Sequence, residues 1–134
     1  MTALDTNVLV RFLVSDDEAQ ASRARSLLRR AASRGDQLLV TSIVLCELVW
    51  VLETGYDFAK AEIATTLQAL LRARQLQFQS ADEIKRAVAS YEGGRGDFSD
   101  YVIREVSGAE GAATVVTFDK RLWAERGFER VPGV

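Results

Sequence analysis

The chain contains no histidine, and that absence excludes more chemistry than any other feature of its composition. Histidine general-base catalysis, Ser-His-Asp and Cys-His nucleophile systems and His-ligated zinc all fall away. Any catalysis must come from carboxylates, hydroxyls, lysine or a hard metal ion. The single cysteine, Cys46, allows no internal disulfide, which fits a reducing compartment. Inside an apolar helical segment it reads as a small core residue rather than a reactive thiol. The single proline, Pro132, interrupts no expected element. Long apolar runs are missing too: the longest, Ile43 to Leu52, is broken by Glu47 and is too short to span a bilayer. No basic segment followed by an apolar run opens the chain, so a cytoplasmic protein without membrane attachment is expected. The net charge of −2 gives no blanket signal for nucleic-acid binding, which often shows as a basic balance.

What is present is an ordinary globular balance. With 134 residues, 48% hydrophobic and 27% charged, the chain has the size of one domain, residues 1–134, with one core. Met1 to Leu4 reads as a short buried strand, Asp5 to Asn7 as a turn, and Val8 to Val14 as the helix that follows. A second helix runs from Asp17 to about Arg34, with Arg23, Arg25, Arg29, Arg30 and Arg34 on a solvated face. Leu38 to Thr41 is strand two, and Ser42 is expected to cap a helix over Ile43–Glu53. The next helix should start at Asp57 or Phe58 and run to about Ala73. Leu76 to Gln79 is strand three, Asp82 to Tyr91 a helix, and Gly93 to Gly96 a flexible loop. Asp97 opens a helix to about Gly108, Thr114 to Phe118 is strand four, and Asp119 to Arg126 is a short helix. Phe128 to Val131 is a last edge strand. Short apolar strands alternating with helices predict an α/β sandwich with a mainly parallel sheet.

Functional groups in an open parallel sheet gather at the carboxyl ends of strands. Asp5 and Asp119 each follow a strand directly, although each also suits the N-cap of the next helix. In Asp97-Phe98-Ser99-Asp100 the two acids suit an acidic capping box, or place Asp100 one turn into a helix facing the rim. Glu47 stands among apolar neighbours, Ile43, Val44, Trp50 and Val51 included. It is either a thin polar stripe paired with an arginine, or a carboxylate held for a cation. Carboxylate oxygens suit Mg²⁺ or Mn²⁺, and such an ion can activate water for attack on a phosphodiester without histidine.

Four motifs in order resemble the PIN-domain ribonucleases, specifically the VapC-type toxins of toxin–antitoxin pairs. Leu4-Asp5-Thr6-Asn7 is similar to the family's first-strand aspartate motif, and Glu47 matches its helical glutamate. Gly96-Asp97-Phe98-Ser99-Asp100-Tyr101-Val102-Ile103 resembles its D-F-x-D-x-x-I block, and Thr117-Phe118-Asp119-Lys120 its T-F-D-K/R. One departure is Ile103-Arg104-Glu105-Val106, where small apolar residues are usual. The resemblance implies a PIN-like three-layer sandwich with a mainly parallel central sheet of four to five strands flanked by helices. It implies a Mg²⁺- or Mn²⁺-dependent endoribonuclease acting on tRNA, rRNA or mRNA and leaving a 5′-phosphate and a 3′-hydroxyl. It also implies a homodimer inhibited by a cognate VapB-type antitoxin. Asp5, Glu47, Asp100 and Asp119 are then the catalytic and metal-binding groups, Asp97 an auxiliary, and Thr6, Asn7 and Thr117 polar supports.

Acidic sites repel RNA, so a basic rim is expected, with Arg11, Arg95, Arg104, Lys120 and Arg121 as candidates. Taken singly, each reads better as a solvated surface charge. The Gly93–Gly96 loop lacks the lysine spacing of a phosphate-binding loop and reads as a mobile lip. Trp50, Tyr56 and Phe58 suit either a partner surface or core packing. Two other functions remain: a PIN-like module that binds RNA or protein without cutting, and an aspartate-nucleophile phosphatase. Asn7, where the latter would place a second aspartate, counts against it.

Overall fold

A computed structural model describes residues 1–133. They group into two compact units, Met1–Ala81 and the residues from Asp82 onward. In the first, parallel strands β1 (Thr2–Ala3), β2 (Leu38–Val40) and β3 (Leu76–Phe78) form a sheet in that order. Thr2 faces Leu38, and Leu38 faces Leu76. Four helices accompany them: α1 (Thr6–Leu13), α2 (Glu18–Arg34), α3 (Ser42–Gly55) and α4 (Lys60–Leu71). Buried Leu9, Ala21, Leu28, Leu45, Leu48, Leu52, Ile63 and Leu67 make a mainly aliphatic core. The second unit has α5 (Ala81–Gly93), α6 (Phe98–Ala109), a parallel pair β4 (Val115–Thr117) and β5 (Phe128–Arg130), and a 3₁₀ turn at Lys120–Leu122. Its core is aromatic: Tyr91 meets Phe98 edge-on at 5.8 Å, and Tyr101 meets Phe128 edge-on at 6.2 Å.

The α/β class and the parallel pairing are as expected, with the strands in sheets of three and two. Among the described residues no helix is long and apolar enough to cross a membrane. Four local details differ. Strand β1 is an exposed edge, and of Met1 to Leu4 only Leu4 is buried. Thr41, not Ser42, caps α3, its Oγ1 accepting from Val44 N at 3.3 Å. Helix α4 starts at Lys60, because Asp57 takes a left-handed backbone (φ 53°) that interrupts helical continuation. The Glu62 carboxylate then accepts from Ala59 N at 2.9 Å to close the first turn. Finally, the helix expected over Asp119–Arg126 contracts to one 3₁₀ turn.

Candidate active site

Strands β1 and β2 are parallel neighbours, so the residues after their carboxyl ends share one rim of the first unit. Asp5 leaves β1 there and caps α1, its Oδ1 accepting from Thr6 N at 2.8 Å. The buried Thr6 then donates Oγ1 to Glu47 Oε1 on α3 at 3.1 Å. Thr6 thus ties the Asp5 turn to Glu47. Glu47 itself is exposed, so its apolar neighbours in sequence do not bury it. Helix α3 is apolar nearly all round, and the face that reaches solvent carries Ile43 (71% exposed) and Trp50 (67%) beside Glu47. Among the described residues neither Asp5 nor Glu47 is in a salt bridge.

In the second unit the acids are closer together in their effects on one another. Asp100 Oδ2 accepts from Asp97 N at 2.8 Å, one half of the expected capping box. Burial first, then the charges of Asp97 and Asp119, push the Asp100 carboxyl above its ordinary value despite the Asp97 N–H and Arg121. Asp119 caps the 3₁₀ turn, with Oδ1 accepting from Arg121 N at 3.0 Å. Its own N–H donates to Thr117 Oγ1 at 3.0 Å, so Thr117 sets the turn that carries the carboxylate. The Arg121 guanidinium folds back onto both Asp119 oxygens, Nη2 to Oδ2 at 2.7 Å and Nε to Oδ1 at 3.1 Å. Asp97 Oδ2 lies 3.6 Å from the same Nη2. Hydrogen bonding from Arg121 holds Asp119 below the ordinary aspartate range.

This donor set fits a hard divalent cation. Every ligand on offer is a carboxylate oxygen, and a cationic group, the Arg121 guanidinium, already spans two of the acids. No three acidic or cysteine side chains among the described residues converge as a ready-made metal cage. A magnesium-type ion does not require one, since it binds through one or two carboxylates and keeps several waters.

The basic residues divide. Arg95 and Lys120 are exposed, as a rim would require. Arg11 is half-buried and engaged by Asp16 (2.8 Å) and Gln20 (2.7 Å). Arg104 is no rim residue: it is 7% exposed. It donates to Glu105 Oε2 (2.9 Å), Ser90 Oγ (2.6 Å) and the Arg126 carbonyl (3.1 Å), and packs over the rings of Tyr101 and Phe128. An arginine in a helix reads as surface, and Ser90 and Arg126, distant in sequence, leave no local trace. The loop at Gly93 to Gly96 is tied down rather than a free lip. Gly96 N donates to the buried Tyr101 hydroxyl at 2.9 Å, and Arg95 N to Glu125 at 3.1 Å. A Cβ at Gly96 would lie 2.6 Å from Leu122, so this close approach requires glycine. Tyr101 in turn donates to Glu125 at 2.7 Å, and burial pushes its hydroxyl up to about 12. Sequence reasoning passed over Tyr101 and Glu125, although a tyrosine four residues after an acidic cap, one helical turn on, is a usable signal.

The chain is similar to a VapC ribonuclease of Aquifex aeolicus (strain VF5), with 28% identity over 131 residues, 98% of this chain and 96% of the relative. A family model described as PIN domain matches residues 2–129. Because that match takes in the Asp5–Thr6–Glu47 connection and the Asp97, Asp100 and Asp119 motifs alike, the chain belongs to the PIN-domain family.

Proposed function

We propose that this protein is a Mg²⁺- or Mn²⁺-dependent endoribonuclease, the toxin of a type II, VapBC-type toxin–antitoxin pair, working as one PIN-like domain in the cytoplasm. The observation that carries the reading is the similarity to a VapC ribonuclease along 98% of the chain. The proposed catalytic and metal-binding groups are Asp5, Glu47, Asp100 and Asp119, with Asp97 auxiliary. The proposed partners are an RNA substrate, a VapB-type antitoxin and a second copy of the chain.

The residues have definable parts in that reaction. Thr6 holds the Glu47 carboxylate by its hydroxyl and Asp5 by its backbone N–H. Thr117 fixes the backbone of Asp119, and the Asp97 N–H holds Asp100 Oδ2. A bound Mg²⁺ or Mn²⁺ would supply Lewis-acid activation of water and neutralise charge developing on the phosphate. Arg121, which bonds both Asp119 oxygens, is a cation that would suit a phosphate if a metal ion took its place on the carboxylate. Purified protein should cleave structured RNA with Mg²⁺ or Mn²⁺, and EDTA should stop it. Asp5→Asn and Asp100→Asn should each lower the rate by more than about 100-fold, beyond the loss typical of groups that only support a ligand. Undiminished cleavage by both variants would remove the site assignment.

A second reading, a PIN-like module that binds without cutting, is favoured by one feature: the Arg121 guanidinium already bonds both Asp119 carboxylate oxygens. Metal-dependent cleavage by the wild type that is lost in Asp100→Asn decides between the two.

A further inference from the structure

Helix α2 carries five arginines and a single acid, Glu18, in a chain whose net charge is −2. At 100° per residue, Arg23, Leu27, Arg30 and Arg34 fall within a sector of about 60°, so three of those arginines form one stripe. All three are exposed, and among the described residues none has a carboxylate partner, while Arg25, off the stripe, pairs with Glu18 at 3.7 Å. The stripe is also the wall of two hollows. One, of about 320 Å³, lies between α1 and α2 and is lined by Asn7, Arg11, Arg23 and Leu27 among others. The other, of about 650 Å³, is lined by Leu27, Arg30, Arg34 and the residues that open β1 and β2, with Asp36 its one acid. Leu27 borders both. A furrow therefore runs along α2 from Asn7, two residues from Asp5, to the amino ends of β1 and β2.

We propose that this furrow is a track for the phosphate backbone of single-stranded RNA, gripped by Arg23, Arg30 and Arg34. The inference rests on the RNA-cleaving reading above and deepens it. Eleven residues of helix separate the outer arginines by about 16 Å, the span of a short run of nucleotides rather than of one phosphate. Unpaired guanidiniums suit phosphate oxygens, which they meet with paired N–H donors. Bases are not read here: the walls offer Leu27 and Leu38 but no aromatic ring for stacking, so the grip is electrostatic and sequence-tolerant. Arg34, in the last turn of α2, also complements the helix dipole, so Arg23 and Arg30 discriminate best. The sequence shows the same arginines as a solvated face. The hollows between α1, α2 and the strand ends turn that face into a groove.

The test is binding of a fluorescein-labelled single-stranded RNA of about 20 nucleotides to the full chain in EDTA, followed by anisotropy across a salt series. Each of Arg23→Gln and Arg30→Gln should lower the slope of log K against log salt by about 0.7, the value for one phosphate contact on a single strand. Arg25→Gln, the same charge change off the stripe, should leave the slope unaltered. Equal losses in all three variants, or none in the stripe variants, would overturn the track while leaving the ribonuclease reading intact. A wild-type chain that binds no RNA would overturn both.

Discussion

The two units hold their carboxylates in opposite ways. In the first, Asp5 and Glu47 are held by neutral donors, the N–H and hydroxyl of Thr6, and among the described residues carry no ion pair. In the second, Asp119 and Asp97 share the Arg121 guanidinium, and Glu105 is surrounded by Arg86 (2.7 Å), Arg104 (2.9 Å) and Arg126 (3.7 Å). Neutral donors orient a charge without cancelling it, which leaves the first unit's acids free to attract a cation. Arginines cancel the charge, so any cation drawn to the second unit's acids would have to displace a built-in counter-ion. The contrast extends to the cores. A mostly aliphatic core asks nothing of its neighbours but shape, whereas Tyr101 and Arg104 bring polar atoms inside that need partners.

The largest effect should follow from breaking the buried network. Glu105→Ala leaves Arg104, 7% exposed, without its carboxylate, and should cost about 3 kcal/mol in urea unfolding. Next comes Gly127→Ala. Its backbone is left-handed (φ 84°) and a Cβ would stand 2.7 Å from Arg104 Cδ, so a loss of about 1–3 kcal/mol is expected in the same measurement. The pH dependence should separate the units further. Burial opposes ionisation of Glu105, but hydrogen bonds from Arg86 and Arg104 outweigh it and leave the carboxyl below its ordinary value of 4.5. A depressed native value means that Glu105 contributes stability above pH 4.5, which is lost as pH falls through the native value. Glu105→Gln should therefore flatten the acid limb of a stability–pH profile. The smallest change is Thr6→Val, which releases an exposed Glu47 to water and should cost about 1 kcal/mol or less. If Thr6→Val cost as much as Glu105→Ala, the distinction between neutral and ionic support would collapse.

The positions of the acids along the chain are the part of the site that sequence makes legible. Asp5 and Asp119 were readable as caps and as rim residues, and both cap. The helices opened by Asp17 and Asp97 begin one residue after each acid, because a cap is a local contact with a short-range signature. Faces were harder. Helix α3 offers no polar stripe to orient it, so nothing local marks Ile43, Glu47 and Trp50 as its outer side. Arg121 was expected beyond Asp119 in a helix, where residues two apart point away from each other. The N-cap geometry of a 3₁₀ turn folds the carboxylate over the second residue instead. Arg104 could not be placed inside from sequence, because Ser90 and Arg126, which supply its bonds, are brought to it only by the fold.

The exposed outer side of α3 gives this protein an optical handle. The chain has two tryptophans. Trp123 is half-buried, its indole N–H donating to the Thr117 carbonyl at 2.9 Å, while Trp50 stands in solvent one helical turn from Glu47. An aqueous quencher such as acrylamide will therefore extinguish Trp50 first. Whatever settles over Glu47, whether a second copy, an inhibitory peptide or RNA, will shield that emission. Occupancy of the Glu47 face can thus be followed in the unlabelled protein, from fluorescence alone and without waiting for a bond to break.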